Sequence, residues 1–177
     1  MDFHGICDRL RALRAPGLLG VDEPRAAVEG AKDAHGKPDK GRAGDAYVLV
    51  DPQRLPEFLA LCRDDARLQL DLLVDLSATD PSKDAPELWI NVALLSLAHK
   101  HRLAVKALLP KAAASLPTSA RTHRGAQWHE RECAEMFGIT FVGHPDPRHI
   151  LLPDDWEGVP LRKDYEFPKE YHGISCS

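Results

Sequence analysis

Leu68-Gln69-Leu70-Asp71-Leu72-Leu73-Val74-Asp75-Leu76-Ser77-Ala78-Thr79 is the stretch whose period decides the fold class. Leu68, Leu70, Leu72, Val74, Leu76 and Ala78 recur at every second position. Gln69, Asp71, Asp75, Ser77 and Thr79 fill the alternate ones, and only Leu73 breaks the pattern. Side chains alternate across a strand, so a period of two predicts a strand with one face in a core and the other in water. After a turn at residues 80–86 come two more apolar segments, 88–97 and 102–109. Their connector, Ala98-His99-Lys100-His101, has the length of a hairpin loop, so the three strands are expected to be antiparallel neighbours.

Toward the N-terminus, residues 46–50 read as another strand, and Asp51-Pro52 as a helix start with aspartate capping and proline in the first turn. Leu55, Phe58, Leu59 and Cys62 then form a buried stripe, the helix beginning in earnest around Pro56. Ile6, Leu10 and Leu13 mark a short amphipathic helix, and residues 18–21 a short strand. Between them and the body, residues 30–44 are polar and glycine-rich, the composition of a mobile surface loop. Toward the C-terminus, residues 110–118 read as a loop, and Ser119 or Thr122 as the cap of a helix running to Phe137. Ala126, His129, Cys133, Met136 and Phe137 share one face of that helix; Arg131 and Glu135 pair on its exposed side, and Gly138 stops it. Strand–helix–strand–strand–strand–helix predicts an α+β fold, a mostly antiparallel sheet with helices on one face, broadly ferredoxin-like. The chain divides into an N-terminal helix and flexible loop (1–44), an α+β core (45–137) and a long irregular C-terminal extension (138–177).

With 177 residues, 44% hydrophobic and 28% charged, the composition is that of a globular protein. No apolar run approaches the ~18 residues that span a bilayer, and residues 1–5 lack the basic start of a signal peptide. The expected location is cytosolic, or facing the cytosol. A formal charge of −4 argues against general nucleic-acid affinity. From Trp128 onward ten acidic residues face five basic ones, so that part carries −5 and the remainder about +1. Cys7, Cys62, Cys133 and Cys176 are too scattered for a disulfide framework or zinc ribbon; Cys62 and Cys133 are expected to be buried.

Motifs for catalysis are weak. His129-Glu130-Arg131-Glu132-Cys133 invites comparison with H-E-x-x-H and a metal-dependent hydrolase, but cysteine replaces the second histidine and no third ligand is evident. His123, His129, His144 and His149 number enough for zinc, although two lie in proline-bounded loops; interface contacts explain them more simply. Phosphate-cradling glycine loops and a nucleophile elbow are both missing from the sequence.

The C-terminal forty residues differ from the rest. Phe141, Trp156, Tyr165, Phe167 and Tyr171 stand among Pro145, Pro147, Pro153, Pro160 and Pro168, with no helix or strand period. Ordering one residue costs ~1–2 kcal/mol, so such a segment needs contacts beyond itself. Disordered segments are poor in aromatics, which favours an ordered strap laid across a partner protein.

The block Trp128-His-Glu-Arg-Glu-Cys-Ala-Glu-Met-Phe-Gly-Ile-Thr-Phe-Val-Gly-His-Pro-Asp-Pro-Arg148, continued by Ile150-Leu151 and Trp156-Glu-Gly-Val-Pro-Leu-Arg-Lys-Asp-Tyr165, resembles the 30-kDa subunit (C) family of respiratory NADH:quinone oxidoreductase, complex I. Residues 72–80 are similar to that family's L-x-D-L-(T/S)-A-x-D strand and residues 94–97 to its L-x-S-L hairpin. Pro147, His149 and Val159 depart from the usual residues. The resemblance implies a non-catalytic subunit of the peripheral arm, on the cytoplasmic side of the inner membrane. Its neighbours would be the hydrogenase-like large subunit (D) and the small iron–sulfur subunit (B). In such a complex electrons pass from NADH through FMN and iron–sulfur clusters to quinone, coupled to proton translocation, and this chain carries none of those cofactors. A related membrane-bound hydrogenase or other quinone-linked complex is the alternative. The implied partner interface comprises Trp128, Glu130, Arg131, Glu132, Phe137, His144, Pro145, Asp146, Arg148, Trp156, Leu161, Arg162, Lys163, Asp164 and Tyr165.

Overall fold

The computed structural model describes residues 1–23 and 46–175; the loop expected at 30–44 lies outside the described residues. Strands β1 (Leu18–Asp22), β2 (Tyr47–Val50), β3 (Leu72–Thr79), β4 (Glu87–Leu95) and β5 (Arg102–Pro110) form one sheet in the order β1-β2-β5-β4-β3. Within this sheet only the β2–β5 pairing is parallel, so the fold is α+β with a mainly antiparallel sheet, as the sequence implied.

The hairpin of β4 and β5 is its spine, in register from Glu87 opposite Pro110 to Leu95 opposite Arg102. Alternation puts Leu88, Ile90, Val92 and Leu94 in the core beside Leu103, Val105, Ala107 and Leu109. Helix α1 (Phe3–Ala12), capped by Asp2 through the amide of Gly5, contributes Ile6 and Leu10 to the same core. Helix α2 (Leu55–Asp64) adds Leu55, Phe58, Leu59 and Cys62. It follows a 3-10 turn, Pro52–Arg54, whose amide at Gln53 is capped by Asp51, so Pro56 sits in the first turn where no amide is required. Helix α3 (Ala126–Phe137) lies against β3. Gly138 ends it at φ +68°, its amide returning to Ala134 O.

The stretch that announced the sheet is shorter and less regular than its period suggested. Leu68 and Leu70 are buried, but in the link after α2, where Gln69 turns the chain at φ +40° and Leu70 N–H donates to Cys62 O. Within β3 the register shifts between Leu73 and Asp75, which face Leu94 and Ala93. Val74 is therefore an extra residue, a β-bulge that resets the alternation. Leu73 and Leu76 point into the core, while Leu72 and Val74 point out, Val74 being 53% exposed. The one residue that broke the pattern, Leu73, is buried, while its in-pattern neighbours Leu72 and Val74 are not.

The segment expected to be a loop at 110–118 contains a 3-10 turn, Lys111–Ala113, and a short strand β6 (Ser115–Pro117). Strand β6 pairs in parallel with β7 (Thr140–Val142), the first piece of the C-terminal extension. Neither Ser119 nor Thr122 caps α3; Gly125 occupies the cap position without a side-chain bond.

Candidate partner-binding strap

Past β7 the chain has no regular structure until a two-residue hairpin of β8 (Glu170–Tyr171) and β9 (Ile174–Ser175). Its backbone polar groups still need partners, and α3 supplies many of them. Arg131 and Glu135 do not pair on an exposed face. Arg131 donates through Nε to Arg148 O at 2.6 Å and through Nη2 to His149 O at 2.9 Å. Its guanidinium also lies 5.3 Å from the centroid of the Trp128 ring. The buried Glu135 carboxylate accepts from three consecutive amides: Ile150 and Leu152 at 3.1 Å, and Leu151 at 3.1 and 3.3 Å to its two oxygens. One cation thus takes two carbonyls and one anion takes three amides of the same stretch, a charge-assisted pairing with main chain.

The next anchor is the open end of α3. Leu161 N–H donates to Met136 O at 3.1 Å and Arg162 Nε to Phe137 O at 2.7 Å, so the strap satisfies carbonyls that the helix leaves free. One residue on, Lys163 N–H donates to Asp80 Oδ2 at 2.9 Å. Asp80, at the end of β3, is buried and also meets the buried Lys111 ammonium at 2.7 Å, while Asp164 stands 3.5 Å from the same nitrogen. Burial pushes the Asp80 carboxyl up, but Lys111 and the Lys163 amide outweigh it, and its pKa is lowered.

At the strap's start, His144 Nδ1 accepts from Asp146 N–H at 3.1 Å, which leaves the proton on Nε2 facing Gln127 O at 3.1 Å. Arg148 forks onto Asp146 at 2.7 and 2.8 Å and holds that carboxyl down at about 2. Glu130 is fully buried beneath His144, accepting from the Thr118 hydroxyl and, at 2.6 Å, from Ser119 N–H. Burial raises its pKa against those donors and His144.

The strap's rings pair among themselves. Trp156 lies 5.3 Å from Tyr171, and Tyr165 5.0 Å from Phe167 edge-on. Tyr171 OH donates to Asp155 at 2.8 Å, Tyr165 OH to Glu157 O at 3.2 Å, and Gly158 at φ +91° makes room for the Tyr165 ring. These rings meet without a repeat but stay partly in water, Phe167 being 65% exposed.

The fifteen residues implied as an interface divide by exposure. Trp128, Glu132, Pro145, Arg148, Leu161, Lys163 and Asp164 are exposed, Trp128 at 63%. Arg131, His144, Asp146, Trp156, Arg162 and Tyr165 are half-buried and mainly shape the strap. Glu130 and Phe137 are buried within the chain. Glu135, Asp80 and Lys111 were missed. A carboxylate four residues from an arginine suggests a local pair, and only long-range geometry shows where each group bonds.

The candidate metal ligands do not converge. His129 faces Asp75 at 3.7 Å, Cys133 Sγ lies 3.7 Å from Leu76 O, and Glu130 turns toward Thr118. His123 reaches Leu70 O and His149 reaches Pro153 O, each ring bonded to main chain. Among the described residues no group of three His, Cys, Asp or Glu side chains is placed to hold a metal ion. Cys133 is buried as expected, its thiol pushed up to about 12.

The family described as respiratory-chain NADH dehydrogenase, 30 Kd subunit, matches residues 48–171. The chain belongs to this family. The NADH-quinone oxidoreductase subunit (C) of Chloroherpeton thalassium is 46% identical over 147 residues, covering 76% of this chain and 61% of the relative. Its counterpart in Roseiflexus castenholzii is 40% identical over 164 residues, 93% of this chain and 84% of its own. The chain thus spans about three fifths of the first relative and most of the second. Two solved structures share the fold. A trypsin-resistant fragment of Nqo5 has a TM-score of 0.58 at 23% identity, covering 82% of this chain and 99% of that one. A chain of an archaeal membrane-bound sulfane sulfur reductase has a TM-score of 0.64 at 19% identity, covering 93% and 86%. No helix among the described residues is long and apolar enough to cross a membrane.

Proposed function

We propose that this chain is a non-catalytic scaffold of the peripheral arm of NADH:quinone oxidoreductase, in which electrons pass from NADH through FMN and iron–sulfur clusters to quinone, coupled to proton translocation. Those cofactors lie on other subunits. Its α+β body is a rigid base, and its strap is the surface presented to the hydrogenase-like large subunit (D) and the small iron–sulfur subunit (B). In that complex the chain would lie on the cytoplasmic side of the inner membrane.

The observation that carries this reading is how the strap divides its groups. Its backbone is bonded inward to Arg131, Glu135, Asp80 and the Met136 carbonyl, while Leu151, Leu161, Phe167 and Ile174 are left outward. A segment whose main chain is anchored inward and whose apolar side chains face water is suited to a protein partner.

The test is affinity purification of the tagged full chain from native membranes. A co-purifying complex that reduces quinone with NADH, together with an isolated chain that oxidises no NADH, is the expected result. A complex driven by hydrogen instead of NADH assigns the chain to the hydrogenase relative, and recovery of the chain alone overturns the scaffold reading.

A further inference from the structure

The part of the strap between its two carboxylate anchors has a composition of its own. Glu135 fixes the amides of residues 150–152 and Asp80 fixes the amide of Lys163. The intervening turn is tightened by Trp156 N–H to Pro153 O at 3.1 Å and Arg162 N–H to Val159 O at 3.2 Å. Residues 150–161 hold three acids, Asp154, Asp155 and Glu157, and no base. Asp154 and Glu157 are exposed; Asp155 is shared with Tyr171 and His172 at 2.8 Å each. Arg148, a basic group that feels Asp154, is already forked onto Asp146. Leu151 at 61% and Leu161 at 49% exposure flank the acidic turn on either side.

We infer that residues 150–161 form a preshaped docking loop for a basic surface of another protein subunit, one with lysine or arginine facing Asp154 and Glu157 and apolar sockets for Leu151 and Leu161. This rests on the scaffold reading and names the chemistry of the partner's face. Two features argue for a protein surface of that kind. The acidic charge is uncompensated within the loop, and opposite charge on a partner steers encounter and fixes register. The loop is also held at both ends before any partner arrives, so little ordering entropy remains to oppose association. An anionic membrane or nucleic acid meets like charge here.

The test compares the complex purified with wild-type chain and with the double variant Asp154→Lys/Glu157→Lys, measuring how much chain is retained through washes up to about 0.3 M ionic strength. The expected result is progressive release of the wild-type chain with salt and about a tenfold lower retention of the variant even at low salt. The neutral pair Asp154→Asn/Glu157→Gln should fall between them. Equal retention of all three at every salt concentration overturns the docking loop while leaving the scaffold reading intact; a wild-type chain that never co-purifies with the complex defeats the scaffold reading first. Amide exchange of each isolated chain guards against misfolding. Sheet amides should match in all variants, and Glu135→Gln should expose amides 150–152 alone. If those amides exchange freely in the wild-type chain, the loop is not preshaped and the inference falls.

Discussion

Phe58, Leu59 and Ile90 are fully buried in the sheet body with no side-chain polar atom to satisfy, whereas residues 150–163 of the strap hang from Glu135, Asp80 and the Phe137 carbonyl by hydrogen bonds that involve main chain. The first region is held by removal of apolar area from water, a term that is non-directional and spread over many side chains. The second is held by a few directional bonds, each of which fixes position and leaves a buried polar group unpaired if it is lost. A region of the first kind tolerates drift in sequence as long as volume is kept. One of the second kind depends on single atoms, and it keeps its apolar side chains free for use elsewhere.

The contrast predicts where substitutions act. The largest effect belongs to the body: Phe58→Ala should lower stability by about 4 kcal/mol and melting temperature by roughly 10 °C, through the lost transfer energy and the cavity left behind. The whole chain should unfold together, sheet and strap. Lys111→Met comes next, at about 3 kcal/mol, because it strands the buried Asp80 carboxylate. Here pH is the sharper probe. In the wild type the Asp80 pKa is lowered, so its stabilising contribution is present above the unfolded aspartate value near ~3.9 and disappears as pH falls through the folded value. Without Lys111, burial dominates and raises the folded pKa. The variant should then lose stability as pH rises from about 4, the opposite slope. Denaturant titrations at several pH values decide it, and parallel slopes would remove Lys111 from the anchor.

The same contrast explains what could be read in advance. The body was legible because area burial leaves a period in the sequence: residues 88–97 and 102–109 alternate, and Leu55, Phe58, Leu59 and Cys62 recur at helical spacing. The existence of the strap was legible from its prolines and rings. Its attachment was not, since a hydrogen bond from the amide of Ile150 to Glu135, or from Lys163 to Asp80 across 83 positions, leaves no spacing to detect. Arg131 and Glu135 even suggested the wrong bond, their four-residue separation being that of a local pair. Glu130, expected at the partner interface, is instead fully buried and bonded to Thr118 and Ser119, a placement that leaves no local spacing either.

Within the strap, Gly158 gives an intermediate effect. A Cβ there would lie 2.4 Å from the Tyr165 ring, and φ is +91°. Gly158→Ala should cost about 2 kcal/mol, confined to the strap. Amides near 157–165 should exchange faster while those of β4 and β5 keep their protection. A uniform loss of protection would instead mean that strap and body unfold as one unit, and the two regions would then share a single stability.

The smallest predicted effect tests the body's one irregularity. A strict period of two puts Val74 in the core and Leu73 outside, and then Val74→Ala should cost several times more than Leu73→Ala. The bulge reverses this, because the register shift between Leu73 and Asp75 leaves Val74 without a partner opposite and 53% exposed, while Leu73 is buried against Leu94. Val74→Ala should therefore change stability by less than about 0.5 kcal/mol. Leu73→Ala, at the more accessible end of a strand, should cost about 2 kcal/mol. Both variants keep the bulge's backbone, so the difference between them reports only which side chain the core holds. Equal costs would mean that β3 slips between the two registers, which a sheet with one buried face resists, because a slip of one residue exchanges every inward side chain for an outward one.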